Sequence, residues 1–164
     1  MNDLHIEFLR LSHVPLPDLC ALLNHPGVVR FMPLAGGGMD AQACREWVVT
    51  KDAQWDLHGY GPWGIMSEGR FVGWGGFQCE NGDADLALVL HPSVWGKGKA
   101  IFEAMLRWAW NKKGFASITI LLPRSRTHLK GIARLGFVPD GEAVFDGIVF
   151  KRFRLFSPTA SLER

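Results

Sequence analysis

The feature that most constrains this chain is the join spanning residues 85–100. An apolar run, Asp85-Leu-Ala-Leu-Val-Leu90, passes through His91-Pro-Ser-Val-Trp-Gly-Lys-Gly-Lys-Ala100 into a helical pattern. A strand that feeds a helix through so short a turn belongs to a sheet with helices laid against it. Glycines let the backbone turn with no Cβ in the way, and the first amides of a helix have no partner inside it. The turn therefore suits an anion, a phosphate above all. Taken by itself, the pattern fits equally a plain strand-to-helix turn carrying solvated lysines.

The flanking patterns complete the architecture. Residues 5–11 read as a strand. Pro17-Asp18 opens a short helix through Leu23, since proline suits a first turn and aspartate its positive end. Asp40 caps a longer helix in which Ala43, Trp47, Lys51 and Trp55 recur at spacing four, ending near Gly59. Strands over 62–67 and 70–79 flank the tight-turn pair Glu68-Gly69 and form a hairpin. Residues 83–90 alternate, with Asp83, Asp85, Ala87 and Val89 on one face and Ala84, Leu86, Leu88 and Leu90 on the other. A helix is expected over 100–113, a strand over 116–122, a helix over 124–135 and one or two strands over 144–156. The whole is an α/β (α+β) domain of residues 1–156, followed by a C-terminal tail of 157–164.

Charge and cysteines narrow the function. A net charge of +2 gives no electrostatic case for a nucleic-acid partner. The basic residues nevertheless gather at Lys97, Lys99, Lys112, Lys113, Arg124, Arg126 and Lys130, a local patch that suits a polyanionic small molecule. Cys20, Cys44 and Cys79 have neither paired nor metal-ligand spacing; they read as reduced thiols of a cytoplasmic protein, and no metal is expected. No apolar segment is long enough for a membrane span, and the first residues lack the pattern of a signal peptide.

Several stretches, taken in order, carry a family resemblance. Val89-Leu-His-Pro-Ser-Val-Trp-Gly-Lys-Gly-Lys-Ala100 resembles the Q/R-x-x-G-x-G/A acyl-CoA loop of the GNAT superfamily of N-acyltransferases, with Trp95 in place of the usual Gln or Arg. Pro123 to Phe137, PRSRTHLKGIARLGF, resembles that family's P-x-N-x-x-S-x-x-x-x-x-K-L-G-F segment. Gly59 to Ile65, Phe71 to Phe77 and Phe31 to Pro33 add weaker matches, and the order agrees from Leu9 to Leu155. The likeness is greatest to the branch containing ribosomal-protein alanine acetyltransferases. Two departures stand out. Ser125 and His128 replace the usual Asn and Ser of the second motif, and Ile132 stands where other branches place a catalytic tyrosine.

The resemblance implies a mixed, mostly antiparallel twisted sheet, flanked by helices and splayed between two central strands. It implies acetyl-CoA as co-substrate, with the pantetheine arm paired to the main chain of Leu88, Val89 and Leu90. The pyrophosphate would lie on Trp95, Gly96, Lys97, Gly98, Lys99 and Ala100, and Ser125 would touch the CoA arm. The activity implied is direct acetyl transfer to a primary amine, either a protein N-terminus or a small molecule; a non-catalytic acyl-CoA-binding module is the alternative. Such a reaction needs a base for the amine, for which Asp85, Glu80 and Glu142 are the candidates, Asp85 aligning with an acidic position common in this branch. It also needs a proton for the leaving thiolate. His128 stands where the branch often has a serine proposed for that step, and it fits equally a solvated, basic start to a helix. Tyr60 and Trp63, beside glycines, are the candidate acceptor contacts, and Gly36-Gly-Gly38 a flap or a plain connector. A homodimer is left open.

Overall fold

The computed structural model describes residues 5–29, 38–127 and 129–159. Strand β1 (Ile6–Arg10) leads through a 3₁₀ turn (Leu11–His13) to helices α1 (Leu16–Leu23) and α2 (Pro26–Val29). Helix α3 (Ala41–His58) follows, then strands β2 (Pro62–Ser67), β3 (Arg70–Glu80) and β4 (Asp83–Leu90). A second 3₁₀ turn (Pro92–Lys97) runs into α4 (Gly98–Arg107), which widens to a π-helical turn over Trp108–Lys113. The chain closes with β5 (Ser117–Pro123), α5 (Lys130–Arg134), β6 (Val138–Phe145) and β7 (Ile148–Phe156). All seven strands form one sheet in the order β1-β2-β3-β4-β5-β7-β6, antiparallel except where β4 meets β5.

Local chemistry sets these boundaries. Asp40 Oδ1 accepts the amide of Ala43 at 2.8 Å and so caps α3, while Gly59, in the left-handed region at φ 77°, ends it with its amide on the Trp55 carbonyl. Three hairpins turn on pairs with positive φ at both positions, Glu68-Gly69, Asn81-Gly82 and Asp146-Gly147, as two-residue turns between twisted strands require.

The sheet separates two cores. One, beneath α4, contains Trp63, Ile65, Phe77, Leu90, Ile101, Met105, Ile118 and Phe153; the other, beneath α1 and α3, contains Leu11, Leu19, Leu22, Cys44 and Trp74. The first is strongly aromatic: Trp63 stacks on Phe8 at 4.6 Å and meets Trp108 edge-on at 4.7 Å. Among the described residues, no helix is long and apolar enough to cross a membrane.

Four boundaries differ from the sequence reading. Helix α4 starts at Gly98 rather than Ala100, because the preceding 3₁₀ turn already sets helical geometry at Gly98 (φ −59°, ψ −34°). The helix expected over 124–135 is only α5. Residues 124–127 form a turn and an irregular link, so Ser125 sits on no helical face. Strand β6 begins at Val138, its pattern obscured by an irregularity between Pro139 and Glu142 that shifts its register on β7. Finally, Ser157 is buried and its amide bonds the Ala116 carbonyl at 2.9 Å, so the first residue of the expected tail is tied to the domain.

Candidate active site

Strand β4 is held very differently along its two edges. It pairs with β3 at eight positions, from Glu80↔Asp83 to Gly73↔Leu90, and with β5 at one, Asp85↔Thr119. Beyond that single bridge the parallel strands share no further register pair, as the expected splay requires. Leu88, Val89 and Leu90 all lie in the parted stretch. Leu88 and Leu90 pack toward the α4 core and Val89 toward the α1 and α3 core, so what β4 presents to the gap is main chain.

At the wide end of the gap lies the glycine loop. His91 Nδ1 accepts the Ser93 amide at 3.1 Å and caps the 3₁₀ turn. Trp95, half exposed, donates its indole N–H to the Leu90 carbonyl at 2.9 Å and fastens the loop to the end of β4. Neither Gly96 nor Gly98 has positive φ. A Cβ built at Gly96 meets nothing within 4 Å, and one at Gly98 meets only Leu90 Cδ1, at an ordinary 3.5 Å. The fold itself therefore does not demand glycine here. A side chain at either position would instead occupy open space beside the start of α4. No side chain caps that turn. The Gly98 amide is already bonded to the Trp95 carbonyl, so the amides left to face an anion start at Lys99 and Ala100, fewer than the sequence suggested.

Lys97 and Lys99 are exposed around this turn, and Ser125 is exposed in the turn after β5. Because β4 and β5 are parallel, both turns lie at the same edge of the sheet. His128 lies outside the described residues, as do Phe31 to Pro33 and Gly36-Gly37.

At the narrow end of the gap sits Asp85, only 7% exposed. The hydroxyl of Thr119, itself 1% exposed, donates to Asp85 Oδ1 at 2.7 Å. Burial pushes the Asp85 carboxyl up to about 7; the Thr119 hydrogen bond opposes that rise, while the charges of Glu80 and Asp83 add to it. Register places Gln78 opposite Asp85 and Glu80 opposite Asp83, all on the face that also carries Trp74 and Val89. Lys51 reaches down from α3 to this face: its Nζ donates to Gln78 Oε1 at 2.7 Å and lies 5.4 Å from the centre of the Trp74 ring. Burial lowers the Lys51 pKa, and burial likewise raises that of Glu80. Trp74 is buried, and its indole N–H has no hydrogen-bond partner among the described residues. Next along the sheet, Arg154 makes a two-pronged ion pair with Asp83 (2.8 and 3.0 Å) and also bonds Asp140.

The structure does not gather all the candidate residues into this site. Glu142 stands in β6, not in a loop, within 3.5 Å of Arg124, on the edge strand. Its register partner Lys151 pairs with Leu122, three residues from Thr119, which puts Glu142 on the opposite face from Asp85. Tyr60 and Trp63 also lie on the α4 side. Trp63 is 6% exposed within the aromatic core, and Tyr60 packs edge-on to Phe115 at 5.0 Å, its hydroxyl pushed up to about 12 by burial. Sequence reasoning passed over Thr119 and Gln78, and among the aromatic residues of this half it favours Tyr60 and Trp63 over Trp74. For Lys51 a signal existed: a lysine recurring in step with Trp47 and Trp55 on an inward helix face.

A sheet joined loosely beside a strand that ends in a glycine loop and a helix is the arrangement that the acyltransferase resemblance implied, and the comparisons agree. The sequence profile of the acetyltransferase (GNAT) domain matches residues 4–137, so the chain belongs to the GNAT acetyltransferase family. No curated protein matches it in sequence. In structure it is similar to an acetyltransferase from Agrobacterium tumefaciens (TM-score 0.72, 18% identity, 96% of this chain and 94% of that one). It is also similar to an acetyl transferase from Salmonella typhimurium that modifies the N-terminal serine of 50S ribosomal subunit protein L7/L12 (TM-score 0.70, 16% identity, 96% of both chains). A third likeness is to the microcin C7 self-immunity acetyltransferase MccE, in complex with acetyl-CoA and AMP (TM-score 0.72, 16% identity, 95% and 94%). At these identities the likenesses establish the fold.

Proposed function

We propose that this protein transfers the acetyl group of acetyl-CoA directly to a primary amine, with Asp85 as the base. The observation that carries the reading is a buried carboxyl at the point where β4 and β5 separate. The pantetheine arm lies along the parted main chain of Leu88 to Leu90, and the pyrophosphate sits over the uncapped start of α4, with Lys97 and Lys99 beside it. The amine enters from the face of Trp74, Gln78 and Glu80.

In the reaction a C–N bond forms to the acetyl carbon, its C–S bond breaks, and the amine gives up one proton while the departing thiolate gains one. A carboxyl poised at about 7 is half ionised near neutral pH, which is where a base both carries the free electron pair and holds the proton well. An α-amino group, with a pKa near 8, needs only modest help; a lysine near 10.4 needs more. The acceptor class that best fits one moderately basic carboxylate is therefore a protein or peptide N-terminus, with small-molecule amines of similar basicity next.

The test is a panel of amines assayed for CoA release with wild type and with Asp85→Asn. Loss of roughly 10²-fold or more in kcat, with acetyl-CoA affinity unchanged, is the expected outcome. Turnover at the wild-type rate in Asp85→Asn removes Asp85 from the mechanism.

A further inference from the structure

We propose that Thr119 is a positioning residue for acetyl transfer, its hydroxyl holding the Asp85 carboxylate at the one point where β4 and β5 are joined. The inference rests on the reading of Asp85 as base. Three observations converge on it. Thr119 is 1% exposed, in a strand whose neighbours Ile118 and Ile120 are core residues. A hydroxyl so placed needs a partner, and the one it has is Asp85 Oδ1 at 2.7 Å. Asp85↔Thr119 is also the only register pair between β4 and β5. A single side-chain hydrogen bond thus aims the carboxylate and closes the narrow end of the gap.

The direction of the donation matters. An ionised carboxylate only accepts hydrogen bonds, so Thr119 donates to it and favours the charged form over the neutral one. The other groups around Asp85 come from every neighbouring element. Asp83 lies on its own strand, Glu80 and Gln78 on β3, Arg152 on β7, and Lys51 reaches in from α3. Glu80 and Asp83 disfavour the charged form and Arg152 favours it, but among the described residues Thr119 is the one side chain hydrogen-bonded to the carboxylate itself.

The experiment compares Thr119→Val, which keeps the shape and removes the donor, with Thr119→Ser, which restores it. The first readout is the Asp85 carboxyl midpoint, followed by ¹³C NMR titration of carboxyl-labelled protein. The second is the pH profile of kcat/KM with one amine acceptor. In Thr119→Val the midpoint rises by about one to two pH units, since a hydrogen bond to the charged form is lost. The acid limb of the rate profile moves to higher pH with it, and kcat falls at its plateau because the carboxylate is no longer aimed. Thr119→Ser returns both toward wild type. An unshifted midpoint in a folded Thr119→Val protein overturns the proposal, and so does a shifted midpoint with an unchanged rate profile. If instead Asp85→Asn turns over normally, the base assignment fails first, and the NMR titration still reports whether Thr119 tunes the carboxyl.

Discussion

The two edges of β4 carry opposite instructions. On the β3 side eight residues are matched one to one, and glycines there exist because the chain is crowded: a Cβ on Gly75 would come within 2.7 Å of the Ala87 carbonyl, and one on Gly73 would collide with the Val89 carbonyl. On the β5 side one residue is matched, and the glycines that follow, Gly96 and Gly98, have open space where a Cβ would be. The same residue type thus relieves crowding on one edge and leaves open space beside the other. A rigid strand with one free edge is what a binding gap requires, because the unpaired main chain stays in place without its partner strand.

The crowding continues across β3 to β2, and there disruption costs most. Gly76 has φ +152° and its would-be Cβ meets backbone on two sides, Gly61 O at 2.5 Å and Pro62 Cα at 2.7 Å. Gly76→Ala forces β2 to shift and is expected to cost at least ~3 kcal/mol, enough to lower the melting temperature by roughly 10 °C or to abolish soluble expression. A circular-dichroism melt close to wild type would show that β2 gives way more easily than its packing suggests.

The next largest effect lies at the bridge between the edges, and its sign runs against intuition. Asp85 is raised to about 7 in the folded protein, above the ordinary carboxyl value of 3.8. The folded state therefore holds its proton more tightly than the unfolded chain. The associated stability is full below about pH 4 and is lost as pH rises through about 7. Asp85→Asn, which cannot ionise, escapes that loss. It should match wild type near pH 4 and exceed it at pH 8 by roughly 3–4 kcal/mol, while being the least active variant. Urea melts at the two pH values decide it, and equal differences at both would mean that the buried carboxyl is not perturbed.

How far the sequence reached depends on whether a signal was local. Strand β4 was legible to the residue, Asp83 to Leu90, since alternation and the flanking turn both mark it. Both ends of α3 were legible from Asp40 and Gly59. Thr119 was not, because a β-branched residue in Ser-Ile-Thr-Ile-Leu-Leu reads as an ordinary strand former, and only pairing with a residue 34 positions away gives its hydroxyl a task. Tyr60 and Trp63 misled for a related reason. The glycines beside them suggested an open loop edge, yet Gly61 is there because Trp55 lies 2.8 Å from its would-be Cβ, and Gly64 because Val14 lies at 2.3 Å. A single sequence shows that a glycine is present, not whether it makes room for protein or for a ligand.

That distinction can be tested on the open edge. Gly98→Val adds a side chain whose first atom meets only Leu90 Cδ1 at 3.5 Å, so the melting temperature of the free protein should change by no more than a few degrees. Valine is no worse a helix former than glycine, so the helix itself does not oppose the change. Acetyl-CoA affinity, by contrast, should fall about 10- to 50-fold, because the valine occupies the approach to the amides of Lys99 and Ala100. Isothermal titration gives the affinity, and unchanged binding would move the phosphate site away from this turn.

The smallest effect belongs to the lysines of the same turn. Lys97 and Lys99 are both exposed, so their attraction to a pyrophosphate acts through water and is screened by salt, with a Debye length of about 8 Å at physiological ionic strength. Main-chain amides, fixed by the loop, lose little to salt by comparison. Replacing both lysines by alanine should weaken acetyl-CoA binding only about 2- to 5-fold at 0.15 M salt, and the deficit should shrink further at 0.5 M. In Gly98→Val the deficit should persist at both salt concentrations, because it is steric. If the lysine variant instead lost more than Gly98→Val, side-chain charge rather than an open main-chain edge would hold the phosphates, and the contrast between the two edges of β4 would no longer explain why glycine stands at 96 and 98.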